Sequence, residues 1–518
     1  MNDLNRILGA ALLLLAASAG GCDSPSEPGP PVPSAVQVAA PDTVLRVGRT
    51  LQLAAEVRDA AGRPIAGGVV AWSSSDTTLA RVSAAGEVTG VRRGVVRVTA
   101  TSGAATGSVS LRVFTPVAYV SVDGDLLGQV VPVGETRQFR AVALDSARRE
   151  LPGVAVRLWS RDPNVVTISE TGTARGIATG TTQVLAEAEG VVGFGNVYVA
   201  QGYDVVPLGT LGGAESRAHG LNERGDVVGE AQTASGAWRA FLWRAGQMLE
   251  VTAPGARSRA EAVNAAGVVV GNFWPGADTL AGTRPFLWSG GAATQLAPAY
   301  VADHVYATDV NDRGQVVGYS STSCASCPLG TVGSALVWED GALRDLGRMG
   351  GHQAILTEIS EQGWMAGTVQ PQDSALLIVA GQPRFLFPGT ARATSGAGHV
   401  AGDPRFTGAA DAAWFIFRDG VVHRQPYFYR DRIRVFGIDT EGRTLAVYTY
   451  GGFGPQTPPQ VVVRQPYGTL VQVNQLLAPG TPWRVEGAGG MNDRGEIVGW
   501  GRRTGDAGAQ ALLLRPRS

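Results

Sequence analysis

The sequence predicts an all-β protein, two β-sandwiches followed by a seven-bladed β-propeller that is closed by its own N-terminal strand. Three observations carry that prediction. The phrase "VNDRGQVVG" at 310–318 returns almost unaltered as "MNDRGEIVG" at 491–499, with looser copies elsewhere. Upstream, two successive blocks of short alternating strands share the same Trp and Gly spacing. A lone strand opens the repeat region, while the final repeat stops one strand short. The chain has 518 residues, 44% apolar and 17% charged, with 71 Gly and 29 Pro. That is enough for several domains, in a composition suited to turns rather than long helices.

The first 22 residues read as a targeting segment outside the fold. Arg6 precedes the apolar run "ILGAALLLLAASA", which is short for a membrane span, and small residues lead to Cys22 in "SAGGC". This resembles a bacterial lipoprotein signal, which implies cleavage before Cys22 and lipidation of its thiol. An ordinary secretory signal cut nearby is the alternative. Residues 23–34, "DSPSEPGPPVPS", form a Pro- and Ser-rich tether. Acyl chains on Cys22 would hold the protein at a membrane without a spanning helix. No later run is apolar enough to span. The expected location is therefore exported and lipid-anchored in the cell envelope, at the outer membrane or cell surface, with the periplasmic face also open.

The other cysteines, Cys324 and Cys327 in "CASCP", lack the second ligand pair of a zinc site and the βαβ setting of a thioredoxin. In an exported chain they are expected to form a local disulfide that pins a loop. Every basic residue is Arg, which excludes a lysine Schiff base or a phosphate-loop lysine. The formal net charge of −1 provides no basic field for nucleic acid.

Residues 35–114 alternate short strands with turns, as in "LQLAAEVRD", "GVVAWSSSD" and "GVVRVTATS", the pattern of a β-sandwich. Residues 116–200 repeat the plan: Trp72, Gly86, Gly90 and Gly94 correspond to Trp159, Gly172, Gly176 and Gly180. The stretch "VGRTLQLAAEVRDAAGRPIAGGVVAWSSSDTTLARVSAAGEVTGVRRGVVRVTATSG" resembles the bacterial immunoglobulin-like group 2 domain, and the second block is a more degenerate copy. The resemblance implies two immunoglobulin-like extracellular spacers or adhesion modules.

Beyond residue 200 the phrase recurs at 221–229, 263–271, 310–318, 359–367 and 491–499, with weaker copies at 394–402 and 438–446. Each reads as a hairpin in which Asn, Ser or Asp bonds the turn backbone and Gly takes the left-handed conformation. An apolar strand follows each one: "AFLW", "PFLW", "ALVW", "ALLI", "WFIF", "QVVV" and "ALLL". A fourth strand then completes most units, as in "QMLEVT" and "ALRDLG". Four antiparallel strands repeated at this period describe a propeller, with an open solenoid as the rival. Trp243, Trp288 and Trp338 are expected to pack between blades. The seventh unit ends at "ALLLRPRS" without a fourth strand, and "YDVVPLG" at 203–209 has no unit of its own. Pairing the two would complete seven blades and remove two sheet edges. The motifs "LGTLGG", "AHGLNERGDVVGEA" and "AFLW" are similar to HAF-type extracellular repeat proteins, which implies an exported propeller across 201–518 and no catalytic residues to transfer.

No HExxH, GxSxG or closely spaced ligand set accompanies the five scattered His residues, so no cofactor or metal is expected. Where the first strand of each unit begins, the repeat alignment places Glu215, Arg217, Arg257, His304, His352, Arg432 and Glu486. This mixed-charge rim is the candidate ligand-binding site, and a solvated loop face is the alternative. The expected function is that of a monomeric, non-enzymatic envelope lipoprotein. Its immunoglobulin-like spacers would present a propeller that binds a glycan or a surface protein. A purely structural envelope component is the next reading. A carbohydrate-active enzyme is the third, and would need a facing carboxylate pair such as Glu215 with Glu486.

Overall fold

A computed structural model of the protein describes residues 31–123, 129–276, 282–296, 303–323, 331–370, 374–404, 413–426, 432–449, 459–466 and 468–517. Cys22, Cys324 and Cys327 lie outside these residues. The chain forms two compact units, one of 1–119 with 144–153 and one of 120–143 with 154–518. Strands dominate throughout. Among the described residues no helix is long and apolar enough to cross a membrane.

The first unit is built around a β-sandwich. One sheet has the order Val44–Arg46, Ala105–Phe114, Gly94–Ser102, Ala71–Ser74 and the other Thr50–Gln52, Glu87–Gly90, Ala80–Val82. Alternating residues point inward, and Leu45, Leu53, Val88, Val98, Leu111 and Val113 make the core with Trp72 against it. Gly86 is small for a physical reason: a Cβ there would meet the Leu53 carbonyl oxygen and the Trp72 ring, each at 3.0 Å. The Trp–Gly spacing noted in the sequence is thus a packing contact.

In the second unit the strands of 129–200 repeat this topology. One sheet runs Gln129–Pro132, Val191–Ala200, Gly180–Ala188, Arg157–Ser160, the other Thr136–Gln138, Thr173–Gly176, Val166–Ile168.

From residue 203 the chain makes a run of four-stranded antiparallel meanders, numbered here as sheets I to VII. Their first strands are Gly212–Leu221, Arg257–Val263, His304–Val310, Gln353–Ile359, Gln382–Thr394, Arg432–Ile438 and Trp483–Met491. Gln382–Thr394 serves twice, as the last strand of sheet IV and the first of sheet V, so those two are continuous. The second and third strands, the "VVG" and "AFLW" segments, read as unbroken apolar runs because both of their faces are covered. One apolar cluster lies between each consecutive pair of sheets, and a further one joins Val498, Ala511 and Leu513 of sheet VII to Ala218, Phe241 and Trp243 of sheet I. Trp243 and Trp338 are buried in such clusters and Trp288 is packed against another, as expected of inter-sheet packing.

The lone strand Tyr203–Gly209 pairs antiparallel with Gln510–Pro516, Val205 opposite Leu514 and Val206 opposite Leu513. It supplies the fourth strand of sheet VII, as the unfinished seventh repeat predicts. Its other side is held too: the Tyr203 amide donates to the Leu476 carbonyl at 2.7 Å, and the Ala478 amide donates to the Tyr203 carbonyl at 3.0 Å. Tyr203 itself is 1% exposed. The preceding residues bind the chain end, with Gln201 donating to the Arg517 carbonyl and Arg517 pairing with Glu135.

Candidate functional site

The repeated phrase builds two features, a turn and a close approach. In the turns, Gly225, Gly267, Gly314, Gly363, Gly398, Gly442 and Gly495 all have φ between 74° and 84°. The Asn222 carbonyl oxygen Oδ1 accepts from the Arg224 and Asp226 amides at 2.9 and 3.0 Å, and Asp439 Oδ1 accepts likewise from Glu441 and Arg443. Ser360 and Ser395 use their hydroxyls on the amides four residues on. This is the turn chemistry that the sequence implies.

The other half of each Asn does something the sequence did not reveal. Asn492 Nδ2 donates to the Asn222 carbonyl at 3.1 Å, Asn222 Nδ2 to the Asn264 carbonyl at 2.9 Å, Asn264 Nδ2 to the Asn311 carbonyl at 3.1 Å, and Asn311 Nδ2 to the Ser360 carbonyl at 3.2 Å. Acidic neighbours reinforce the series. Glu223 accepts from the Asp493 amide, Asp312 from the Ala265 amide and Glu361 from the Asp312 amide. These asparagines are at most 7% exposed, so every polar atom must find such a partner.

The glycine ending each "VVG" sits against the first strand of its own sheet. A Cβ on Gly229, Gly271, Gly318, Gly367, Gly402 or Gly499 would lie 1.9 to 2.3 Å from the carbonyl oxygen of Arg217, Arg259, Tyr306, Ile355, Thr390 or Gly487 respectively. A bulge follows at once in each first strand, as between Ala218 and Gly220 or Ala307 and Asp309. The bulge adds a residue and re-aims the side chains around it. One register layer therefore holds Arg217, Arg259, Tyr306, Ile355, Thr390, Arg434 and Gly487, with His219, Glu261, Thr308, Thr357, Arg392 and Phe436 two positions on.

This layer is rich in arginine, and most guanidinium groups have a carboxylate. Arg217 Nη2 is 3.3 Å from Glu215 and stacks over Trp238. Arg257 Nη2 donates to Glu230 at 2.9 Å and stacks over Trp274. Arg259 donates to Glu261 Oε1 through Nε and Nη2 at 2.8 and 2.5 Å, and Arg392 Nε donates to Asp403 at 2.7 Å. Burial alone would raise the Glu230 carboxyl, but His219 and Arg257 outweigh it and hold it at about 2. His219 Nε2 is 3.9 Å from Glu230, too long for a hydrogen bond. The Tyr306 and Tyr319 rings stack at 4.7 Å, and burial beside Tyr306 and Glu261 pushes the Tyr319 phenol up. Lower in the same strands, burial pushes Asp309 up to about 7, although its carboxylate accepts from the Ile359 and Val310 amides. Glu358, held by the Thr394 amide, is raised by burial and by Asp309.

Of the seven residues named from the sequence, Glu215 and Arg217 are brought together and Arg257 joins them through Glu230's neighbourhood. His304 Nδ1 lies 3.1 Å from the Thr283 amide, and its ring stacks near Tyr306 at 6.2 Å. His352 falls in a turn with Met349, and Gln353 begins the strand in its place. Glu486 sits at an extra bulge between Val485 and Gly487, 3.6 Å from Arg502. Glu215 and Glu486 are thus each engaged by an arginine of their own sheet. Arg432 opens sheet VI, and its side chain lies outside the described residues. The sequence reading missed Arg259, Glu261, Glu230, Arg392, Asp403 and Arg434. Their signal was positional: each is counted from the "VVG" glycine rather than from the strand start. Among the described residues no group of three or more His, Cys, Asp or Glu is placed to hold a metal ion.

Comparison with known proteins matches residues 34–113 to the family described as bacterial Ig-like domain (group 2). No curated protein matches the chain. Similar solved structures include FdeC, an adhesin of Escherichia coli, at 20% identity over 32% of this chain and 64% of that one, with a TM-score of 0.23. The adhesin InvE of Yersinia pseudotuberculosis aligns at 17% identity over 32% and 58%, TM-score 0.24. Domains 4 and 5 of the S-layer protein SbsC align at 19% identity over 33% and 99%, TM-score 0.17. The chain spans less than two thirds of either adhesin structure.

Proposed function

We propose that this is an exported, non-enzymatic surface protein in which immunoglobulin-like modules display a closed seven-bladed β-propeller for binding or adhesion. The observation that carries the reading is the hydrogen bond from Asn492 to Asn222, which continues a sheet-to-sheet series from the last repeat into the first. First strands lie against one another from sheet I to sheet VII, and that of sheet VII lies against that of sheet I. A sheet array whose last member contacts its first has no free face to cover. The bacterial Ig-like domain at 34–113 supports an extracellular setting. Membership of the second sandwich in the same family, an HAF-type origin of the repeats and lipid attachment at Cys22 belong to this proposal. The ligand class is a glycan or an envelope protein, held by side chains of the first strands.

The test is a glycan and envelope-protein binding screen with the full chain. Selective binding supports the reading. Uniformly negative results would favour a structural envelope component. Lipid attachment is checked separately by metabolic labelling with an acyl probe, which Cys22→Ser should abolish.

A further inference from the structure

We infer that the arginines of the first-strand layer form a site for an acidic sugar, with Arg434 as the group that takes the carboxylate; this rests on the closed-propeller reading above. Arg217, Arg257, Arg259 and Arg392 each meet a carboxylate, respectively Glu215, Glu230, Glu261 and Asp403. Arg434 forms no ion pair among the described residues: it stacks over Phe436 at 5.3 Å and feels the Asp403 carboxylate only as a charge beyond ion-pair distance. It occupies the same register position as Arg259 and Arg217, opposite Val447 where other sheets carry Glu230, Asn272, Tyr319 or Asp403. The residue that elsewhere answers the layer's polar groups is apolar here, so Arg434 has no carboxylate of its own and shares the charge of Asp403, which is already paired with Arg392.

Its surroundings sharpen the point. Burial, with Arg392 and Arg259, lowers the Arg434 guanidinium from its ordinary value, against the opposing pull of Asp403. A guanidinium beside two like charges is stabilised most directly by an anion, and its fork matches a carboxylate in two-point geometry. The groups remain reachable: Arg434 is exposed, and the side chains of Arg259 and Arg392 are 36% and 30% accessible although they stand on first strands. Aromatic faces stand in the same layer, Phe436 under Arg434 and the stacked pair Tyr306 and Tyr319. Cations beside aromatic rings suit a sugar ring bearing a carboxylate better than a bare inorganic anion, which has no face to stack.

The experiment titrates the full chain with an oligogalacturonate, a neutral galacto-oligosaccharide and inorganic phosphate, by calorimetry at constant ionic strength. The expected result is binding of the oligogalacturonate alone, weakened about tenfold or more in Arg434→Gln as one charge-assisted contact is lost. Arg434→Lys should recover only part of the affinity, because the ammonium lacks the fork. Unaltered thermal unfolding of the variants establishes that they fold. Equal binding of the neutral sugar, binding of phosphate alone, unchanged affinity in Arg434→Gln, or no binding at all overturns the site. Spin labels at Arg224 and Arg494 report separately on closure: a short distance with no binding refutes the sugar site only, whereas a long distance refutes the ring on which it rests.

Discussion

Asn492 Nδ2 donates to the backbone oxygen of Asn222 at 3.1 Å across a sequence separation of 270 residues. The same bond runs from Asn222 to Asn264 across 42 residues. A turn residue that satisfies its own hairpin with one atom thus ties neighbouring sheets with the other. Asn492→Ala removes this bond together with the two that its side chain makes to Glu496, and should cost about 2–4 kcal/mol. Amide exchange should accelerate in the 222–226 turn as well as in its own. Acceleration confined to 492–496 would show that the bond does not couple the two ends.

Gly318→Ala places a methyl 1.9 Å from the Tyr306 carbonyl oxygen, where only backbone can yield. A loss of about 1–3 kcal/mol in denaturant unfolding is expected from such overpacking. Sheet VI supplies the contrast, because Ala446 stands at the matching position opposite Val435. Ala446→Gly should therefore cost no more than about 1 kcal/mol.

Asp309 links stability to pH. Burial raises its folded-state pKa to about 7, above the ordinary carboxyl value of 3.8. In that window the native state binds more protons than the unfolded chain, so stability falls as pH rises from about 4 to 7. Asp309→Asn keeps an acceptor for the Ile359 amide and removes the charge. Its unfolding free energy, from denaturant titrations, should fall less than that of the wild type between pH 5 and 8, by about 1 kcal/mol or more. Glu358 shares the effect through its coupling to Asp309, so parallel pH profiles in the two proteins would count against this assignment.

Tyr203 anchors the strand that completes sheet VII. Tyr203→Ala empties a site 1% exposed among Leu476, Leu477, Leu512 and Leu514, and should cost about 3–5 kcal/mol. Limited proteolysis should then cut between Ala200 and Gly212. Resistance there equal to the wild type would mean that the strand stays docked without its ring.

The opposite pH sign is expected at Glu230, whose pKa is depressed to about 2. Its contribution is present above about pH 4.5 and is lost as pH falls through 2. Glu230→Gln should destabilise by about 1–3 kcal/mol at pH 7, since Arg257 loses its buried counter-charge. The difference from wild type should vanish near pH 2, which an acid titration followed by circular dichroism can read.

The repeats, the turn chemistry and the partner of the orphan strand were legible in the sequence because each depends on local pattern. Alternation, a left-handed Gly and an unfinished unit are readable without coordinates. Glu215 and Arg217 could be named because they lie near a strand start that the phrase locates. His352 was misplaced because the strand begins one residue later, at Gln353. Arg259, Arg392 and Arg434 were invisible because bulges shift the register, so their common layer appears only once the strands are paired.

By itself, then, the sequence determined an all-β chain, its sandwich spacing and hairpins, and the strand that joins the two ends of the repeat region. Tertiary structure alone decided that Asn side chains reach from sheet to sheet, that "VVG" ends in Gly because a carbonyl lies against it, and that Arg434 lacks the carboxylate its counterparts have. The physical reason is the range of the interactions: turn conformation is set within four or five residues, whereas a charge finds its partner by distance in space.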